Sequence, residues 1–528
     1  MKQSETTTGK RDSTFFTMVV MLCTFVSRIL GFVRTAVITA VFGAGGKADV
    51  INATFAVPNN LRKLLAEGAL SSAFIPVLSE TIVNEDAKRS RSSLLVRTLI
   101  TFQLLILIPF TILAIIFAEP LVRHVVTQFK DPAQIALSID LFRYFIVYLL
   151  LISISSVLMG LLNSHDRFFI PAFTPIFFSI SVISSILIFH RSLGVFSMAV
   201  GVLTGGVGQI LFQIPQAMRL GYRFSPSFHF RSDDFVKILH RWLPVLATSS
   251  IFTINQQIAY IFASGLTTGS VSALSYAMVF WQLPFGIFSA SVTTVLFPKM
   301  SRQAGNNDLS GLRDTLQYGI RFLFVLLIPS ALFLSFFGKE TISMALQRGK
   351  FYAGDTFLTA SVLTGYCWGL FSVGAFNFLQ RFFYSIRNYR LPFIVACVVA
   401  TVDIIFSLIL KETVLGVTGL AIANSISFTV GFLILIFFAA KKLKGFDSRM
   451  VFSTIKKVSL SMIPFLLFAY AATTYFGGWW VTGSNIKGVV YLGVEFCISS
   501  ALILMMYKLM QVEMVDRIFA LLRIRKKR

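Results

Sequence analysis

The sequence predicts an all-α polytopic membrane protein of about fourteen transmembrane helices, arranged as two six-helix lobes in parallel pseudo-twofold repeat plus two extra C-terminal helices. Three observations carry this. Of 528 residues, 55% are hydrophobic and only 13% charged, which excludes a soluble globular chain. The apolar residues fall in runs of about 20 or more, the length needed to cross a bilayer. Short motifs in the first half recur in the second at a nearly constant offset.

The runs are 14–42, 49–76, 94–118, 137–163, 168–190, 194–216, 243–264, 271–298, 318–337, 357–380, 391–410, 414–440, 455–476 and 488–507. The second is the least apolar: it carries Asp49, Arg62, Lys63 and Glu67, and crosses only if these face protein or water. The first begins after Lys10 and Arg11, has no small-residue cleavage site, and is too long for the core of a signal peptide, so it is read as mature structure. Cys23, Cys367, Cys397 and Cys497 lie far apart in apolar stretches and read as small core residues.

An even number of spans puts both termini on one side. With the termini cytoplasmic, and with Lys456 and Lys457 at the start of the thirteenth run counted on that side, 31 of the 47 Lys and Arg fall there and 9 on the other side, the remaining 7 lying within spans. Positive residues favour the cytoplasmic face, so both termini are expected there. The net charge of +24 is therefore a matter of topology, and no nucleic acid is expected as a partner. The tail cations Arg523, Arg525, Lys526, Lys527 and Arg528 read as a retention and anionic-lipid signal.

Pro76 and Pro298, following similar Phe-containing strings, are 222 residues apart; Pro171 and Pro392 are 221 apart; Gly194-Val195 and Gly416-Val417 are again 222 apart. This repeat sets the expected divisions: 1–219 as the first lobe, 220–440 as the second, 441–528 as the extra helices and tail. Because six spans return the chain to its starting side, the copies are parallel, the layout of a transporter that rocks about a central site. Pro58 and Pro284 each remove a helical N–H and mark candidate breaks at the cavity. Gly201-x-x-x-Gly205 reads as a close helix contact rather than a phosphate loop.

Placing Arg or Lys at mid-bilayer costs at least about 2.5–3.5 kcal/mol per residue. Arg28 and Arg34 in the first run, and Arg62 and Lys63 in the second, outnumber the acids Asp49 and Glu67. A surplus of fixed positive charge in a water-filled cavity calls for an anionic ligand, and guanidinium forks match phosphate oxygens. Arg28 and Arg34 are about 240° apart on an ideal helix, so a shared face needs a bend, which Gly31 permits. At offset 222 they map onto Ser250 and Gln256, which concentrates anion recognition in the first lobe. Asp140 and Arg143 are spaced to neutralise each other. Asp403 is a candidate coupling-ion site. No nucleophile and base pairing, metal-ligand cluster or nucleotide loop stands out, so neither an enzyme nor a cofactor is expected.

The strings Ser27-Arg28-Ile29-Leu30-Gly31-Phe32-Val33-Arg34, Phe42-Gly43-Ala44-Gly45, Ala48-Asp49, Pro58-Asn59-Asn60-Leu61-Arg62 and Ala66-Glu67-Gly68-Ala69 together resemble the MurJ (MviN) family of lipid II flippases. So do Leu162-Asn163, Pro171-Ala172-Phe173 and Leu346-Gln347-Arg348-Gly349-Lys350-Phe351. That family belongs to a superfamily that also holds MATE drug exporters and polysaccharide flippases. The resemblance implies translocation of undecaprenyl-pyrophosphate-linked peptidoglycan precursor from the inner to the outer leaflet of the bacterial inner membrane. It implies a substrate site of Ser27, Arg28, Arg34, Asp49, Arg62 and Glu67, and a lipid-tail groove in the two extra helices. It departs at Met278-Val279, where the family has an acidic-Arg pair ahead of the span-8 proline, and at Thr35, where an Asp is common. Expected partners are the lipid-linked anionic substrate, membrane lipids and a coupling cation or proton, with a monomer as the working unit. The alternatives are a polysaccharide-lipid flippase, which shares the pyrophosphate, and a cation-drug antiporter, which the cationic surplus disfavours.

The charge distribution makes a direct prediction. A cysteine placed in the loop holding Arg348 and Lys350 should react with a membrane-impermeant thiol reagent in intact cells. Reaction only after permeabilisation would invert the orientation.

Overall fold

The computed structural model describes residues 5–65, 69–85 and 90–515, and its regular elements there are all helical. The chain divides into two compact units, Met1–Thr268 and Gly269–Arg528. Glu67 and the basic tail at 523–528 lie outside the described residues.

The first unit contains α1 (Glu5–Phe42), α2 (Gly46–Leu65), α3 (Ala69–Val83), α4 (Ser90–Ile116), a short α5 (Ala118–Leu121), α6 (Pro132–Ser164), α7 (Phe169–Leu193), α8 (Phe196–Arg219) and α9 (Asp233–Ser264). The second apolar run is thus divided between α2 and α3. α1 runs unbroken through Gly31, whose added Cβ would meet nothing within 4 Å; the glycine neither bends the helix apart nor admits a neighbour. α2 continues through Pro58.

Close packing in this unit is set by glycines on α8. A Cβ at Gly201 would lie 2.7 Å from the Val182 Cα, and one at Gly205 would lie 2.9 Å from the Phe178 ring, so only hydrogen at these positions lets α8 lie against α7. Ser185 and Ser181 then donate across the same contact to the carbonyls of Ser197 and Gly201, at 2.7 and 3.1 Å. α9, assigned by the 222-residue offset to the second repeat, packs on α2 and α3.

The second unit contains α10 (Ser270–Pro284), α11 (Ala290–Gly305), α12 (Leu309–Phe336), a short α13 (Gly338–Leu346), α14 (Ala353–Cys367), α15 (Leu370–Ser385), α16 (Arg390–Leu410), α17 (Val417–Lys442), α18 (Ser448–Tyr475) and α19 (Ile486–Leu509). Pro284 ends α10, and one π-helical turn, Phe285–Ser289, leads into α11. The missing proline N–H and the widened turn have one cause, since a helix that loses an i→i−4 bond finds a longer one. The run 357–380 is also broken: α14 and α15 meet at a 45° bend. Carbonyls freed there are taken up by side chains, with Ser425 Oγ donating to the Gly365 carbonyl at 2.6 Å and Trp281 Nε1 to the Tyr366 carbonyl at 3.1 Å. α18 pairs with α19 and rests on α12.

The repeat is visible in the backbone. Gly194, ending α7, has φ 57° and ψ −127°, and Gly416, opening α17, has φ 50° and ψ −124°. Side chains rarely adopt that conformation, so both copies keep glycine at the same turn.

Among the described residues, eleven helices are long and apolar enough to cross a membrane, twelve if the bent α14–α15 pair counts as one. The two remaining runs of the sequence, now α2–α3 and α9, are those richest in polar side chains, and they pack on each other. Asp140 and Arg143 pair at 3.5 Å. The cysteines divide: Cys23 and Cys367 are buried as expected, but Cys397 and Cys497 are exposed, because each falls on the outward side of its helix.

The glycine seam is testable. Gly201→Val must push backbone apart, an overpacking worth about 1–3 kcal/mol, and should lower the Tm of the purified protein by several degrees. Gly31→Ala, with open space around it, should leave Tm unchanged or slightly raised. Equal effects would show that the seam does not hold α8 on α7.

Candidate functional site

The site grows from α2. Its sequence Pro58-Asn59-Asn60-Leu61-Arg62-Lys63 places two amides one helical turn before two cations, so each amide oxygen meets the cation three residues on. Arg62 donates from Nε and Nη2 to Asn59 Oδ1, at 3.2 and 3.1 Å. Lys63 Nζ donates to Asn60 Oδ1 at 3.3 Å.

α9 supplies a matching pair. Lys63 Nζ also donates to Gln256 Oε1 at 3.0 Å, and Asn60 Nδ2 donates to Gln257 Oε1 at 3.0 Å. These amide oxygens orient the cations while adding no negative charge, so they fix position without cancelling the field.

α1 brings Arg34 to the same cluster. Its guanidinium carbon lies 5.3 Å from the centroid of the Phe178 ring on α7, a cation–π contact. Tyr148 on α6 and Arg62 on α2 both act electrostatically on Arg34, so two guanidiniums of like sign stand near each other within the first unit. The rings beside Arg34 are fixed in turn. Phe178 and Tyr148 pack with centroids 5.2 Å apart, and Phe55 abuts Tyr148 at 6.2 Å. Gly205 lies under Phe178, and a Cβ on Gly206 would lie 3.1 Å from Tyr148. The seam that docks α8 therefore also seats the aromatic wall behind Arg34.

The expected site residues are not all gathered. Arg34 and Arg62 come together, with Lys63 beside Arg62. Arg28 is exposed and, among the described residues, makes no hydrogen bond or ion pair; because α1 is unbroken it keeps its angular separation from the half-buried Arg34. Ser27 is half-buried next to it. Asp49 is buried in the first turn of α2, roughly 20 Å along the axis before Arg62. It lines a separate cavity of about 460 Å³ with Lys130, Asp131, Gln134 and Thr267.

Asp403, in the second unit, is buried and held at both oxygens: Asn424 Nδ2 donates to Oδ2 at 3.1 Å, and Ser407 Oγ to Oδ1 at 3.4 Å. Arg321 on α12 is an intramembrane cation of a different kind. It is buried, donates to Thr454 Oγ1 at 2.7 Å, and pairs with Glu513 at 2.8 Å, so its charge is spent on tying α18 and the segment after α19 to α12. The amide pairs Asn59-Asn60 and Gln256-Gln257, and the ring of Phe178, are the members that residue chemistry alone did not single out. Amide doublets inside apolar runs were the available signal.

Comparison with known proteins agrees with this architecture. The family model for the lipid II flippase MurJ matches residues 38–491, starting just after Arg34. A probable lipid II flippase MurJ of Borreliella burgdorferi is 34% identical over 504 residues, covering 95% of this chain and 97% of that protein. One from Vibrio cholerae is 30% identical over 419 residues, 78% of this chain and 79% of its own. Among solved structures, a lipid II flippase MurJ in an inward closed conformation superposes with TM-score 0.76 at 25% identity, covering 93% of this chain and 99% of that one. An inward-facing MATE multidrug transporter shares the fold alone, with TM-score 0.65 at 17% identity over 81% of this chain and 98% of its own. A multi-pass helical membrane protein with this match along nearly its whole length belongs to the MurJ family of lipid II flippases, which are transporters and not enzymes.

Proposed function

We propose that this chain carries lipid II from the inner to the outer leaflet by alternating access, and that its cavity arginines hold the substrate's pyrophosphate. Arg34 and Arg62 are the primary phosphate ligands. The observation that carries this reading is the proximity of Arg34 and Arg62, with amide oxygens helping to orient Arg62 and Lys63. Like charges held together inside an apolar unit repel, and a dianionic bridge between them removes that repulsion. The aromatic wall of Phe178 and Tyr148 raises the strength of the interaction by excluding water from one side of Arg34.

In this reading the protein works as a monomer in the bacterial inner membrane with both termini cytoplasmic. The two six-helix repeats, 1–219 and 220–440, are the rocking lobes, and the helices beyond 440 guide the lipid tail. Asp403 is the place for a coupling cation or proton, its carboxylate already set by Asn424 and Ser407.

The test is complementation of cells depleted of their own lipid II flippase, with each variant's membrane level checked. Arg34→Ala and Arg62→Ala should each cut transport by about tenfold to a hundredfold, the loss of one charge-assisted hydrogen bond. The corresponding Lys variants should recover only part, since ammonium keeps the charge and loses the fork. Lipid II should accumulate on the cytoplasmic leaflet. Phe178→Leu, which keeps bulk and removes the ring, should fall between Arg34→Lys and wild type. Alanine variants that complement as well as wild type would make the cluster structural; accumulation of a different lipid-linked sugar would reassign the substrate.

A further inference from the structure

The second unit buries two carboxylates that the transport reading does not use. Glu340, in the first turn of α13, is 2% exposed, and Glu495, on α19, is 7% exposed. Each has a fully buried Oε2 with no hydrogen-bond partner among the described residues. The two groups are near enough to act on each other electrostatically. Ser499, one turn along α19 from Glu495, also buries a hydroxyl without a partner. The indole N–H of Trp479 is a donor turned toward Glu495, short of full hydrogen-bond geometry.

The surroundings do not neutralise this pair. Lys339, adjacent in sequence, has its ammonium over the rings of Phe357 and Trp480, 5.0 and 5.7 Å from their centroids. On α14, Asp355 accepts the backbone N–H of Tyr352 at 2.8 Å. On α19 the other charges are Lys487 in the first turn and Lys508 in the last, and Tyr491 stacks on Trp479. The charges of α12 and α18 are Arg313, Asp314, Arg321, Arg449, Lys456 and Lys457, toward the start of each helix and away from the ends that reach α13 and the turn before α19. Arg348 donates to the carbonyls of Met344 and Ala345.

Two ionised carboxylates cannot share a buried, unpaired site. Burial pushes the Glu340 carboxyl above the ordinary carboxylate range, against the weaker pulls of its own backbone N–H and of Lys339. Either a proton or a metal ion must supply the missing positive charge. Hard cations take about six oxygens, whereas this site offers two carboxylates and one hydroxyl, and the described residues hold no group of three or more metal-binding side chains. A proton needs only one carboxylate oxygen.

We propose that Glu340 and Glu495 form a proton-binding pair that retains one exchangeable proton at neutral pH and thereby locks the last helix pair onto α13. The lock is built from neighbouring contacts. Ser343 Oγ donates to the Trp480 carbonyl at 2.7 Å, Gln347 Nε2 to the Val481 carbonyl at 2.9 Å, and Ser484 N to the Gln347 carbonyl at 3.2 Å. Gly483, at φ 88°, closes over the same carbonyl. These bonds hold the turn between α18 and α19 on α13, and the carboxylate pair lies where α13 meets α19. Removing the proton leaves two negative charges in one buried region and drives those helices apart.

The experiment uses the full-length protein in detergent micelles. The sign follows from proton uptake. A carboxyl that binds its proton more tightly in the folded state stabilises fully below the ordinary carboxylate range, and loses that contribution as pH rises through the folded value. The Tm of wild type should therefore fall by several degrees between about pH 5 and about pH 9. Glu340→Gln, Glu495→Gln and the double variant, amides that mimic the protonated acid, should flatten that fall. Infrared difference spectra of wild type should show a protonated-carboxyl C=O band near neutral pH that is missing from the double variant. The infrared measurement on wild type stands even where a variant fails to accumulate. Absence of the band, or a pH slope unchanged by the substitutions, overturns the proposal. So does a sodium-dependent rise in Tm at fixed pH that the substitutions abolish, since the occupant is then a metal cation. Because the readouts are stability and vibration, they are independent of the arginine site.

Discussion

Positive charge kept inside a hydrocarbon-facing protein is the constraint around which the first unit is arranged. Arg34, Arg62 and Lys63 are stable there only because protein groups replace their water. Among the replacements are the amides of Asn59, Asn60 and Gln256, and the face of the Phe178 ring. The consequences extend to helices that touch no cation. Phe178 can sit under Arg34 because α7 and α8 approach at glycine, and Tyr148 is held from the other side by Gly206. Polar α2 and α9 fall short of an ordinary apolar span, and each supplies part of the other's polar environment.

Arg321 shows what the same residue does when its charge is structural. It is buried, paired with Glu513 and bonded to Thr454, and the result is a joint between helices. Removing a partner there would strand a buried charge. Arg62 is oriented by an amide and stands near Arg34, and the result is a field that a ligand can use. In the second unit, the backbone interruptions at Pro284 and between α14 and α15 are met by a π turn, by Ser425 and by Trp281.

Much of this was legible in residue order. Hydrophobic run length located most of the helices, although the runs 49–76 and 357–380 are each divided between two, and the 222-residue offset paired two glycines with nearly the same unusual backbone angles, Gly194 and Gly416. Gly201-x-x-x-Gly205 was readable as a helix contact, though not as the support of a functional ring, because its neighbour Phe178 comes from another helix. The arginines were conspicuous because charge in an apolar run has a cost that must be met. Their partners were not, since an Asn or Gln becomes a ligand only when the fold turns it toward a cation. Arg28 and Arg34 were separated by helix geometry, and Gly31 did not bend α1 to reunite them. Glu340 and Glu495 were hidden for the same reason as the amides: they are 155 positions apart, and only the docking of α19 on α13 makes them neighbours.

The central claim is that Arg34 and Arg62 act as one pyrophosphate site, and coupling between them tests it most directly. Binding of a short-chain polyprenyl pyrophosphate and of the matching monophosphate would be measured for purified wild type, Arg34→Lys, Arg62→Lys and the double variant. If the two guanidiniums grip one pyrophosphate, each single variant loses most of the preference for pyrophosphate over monophosphate, and the double variant loses little more, a non-additivity of about 1 kcal/mol or greater. Additive losses, or a preference untouched by either substitution, would contradict a shared site and leave the cluster a feature of folding alone.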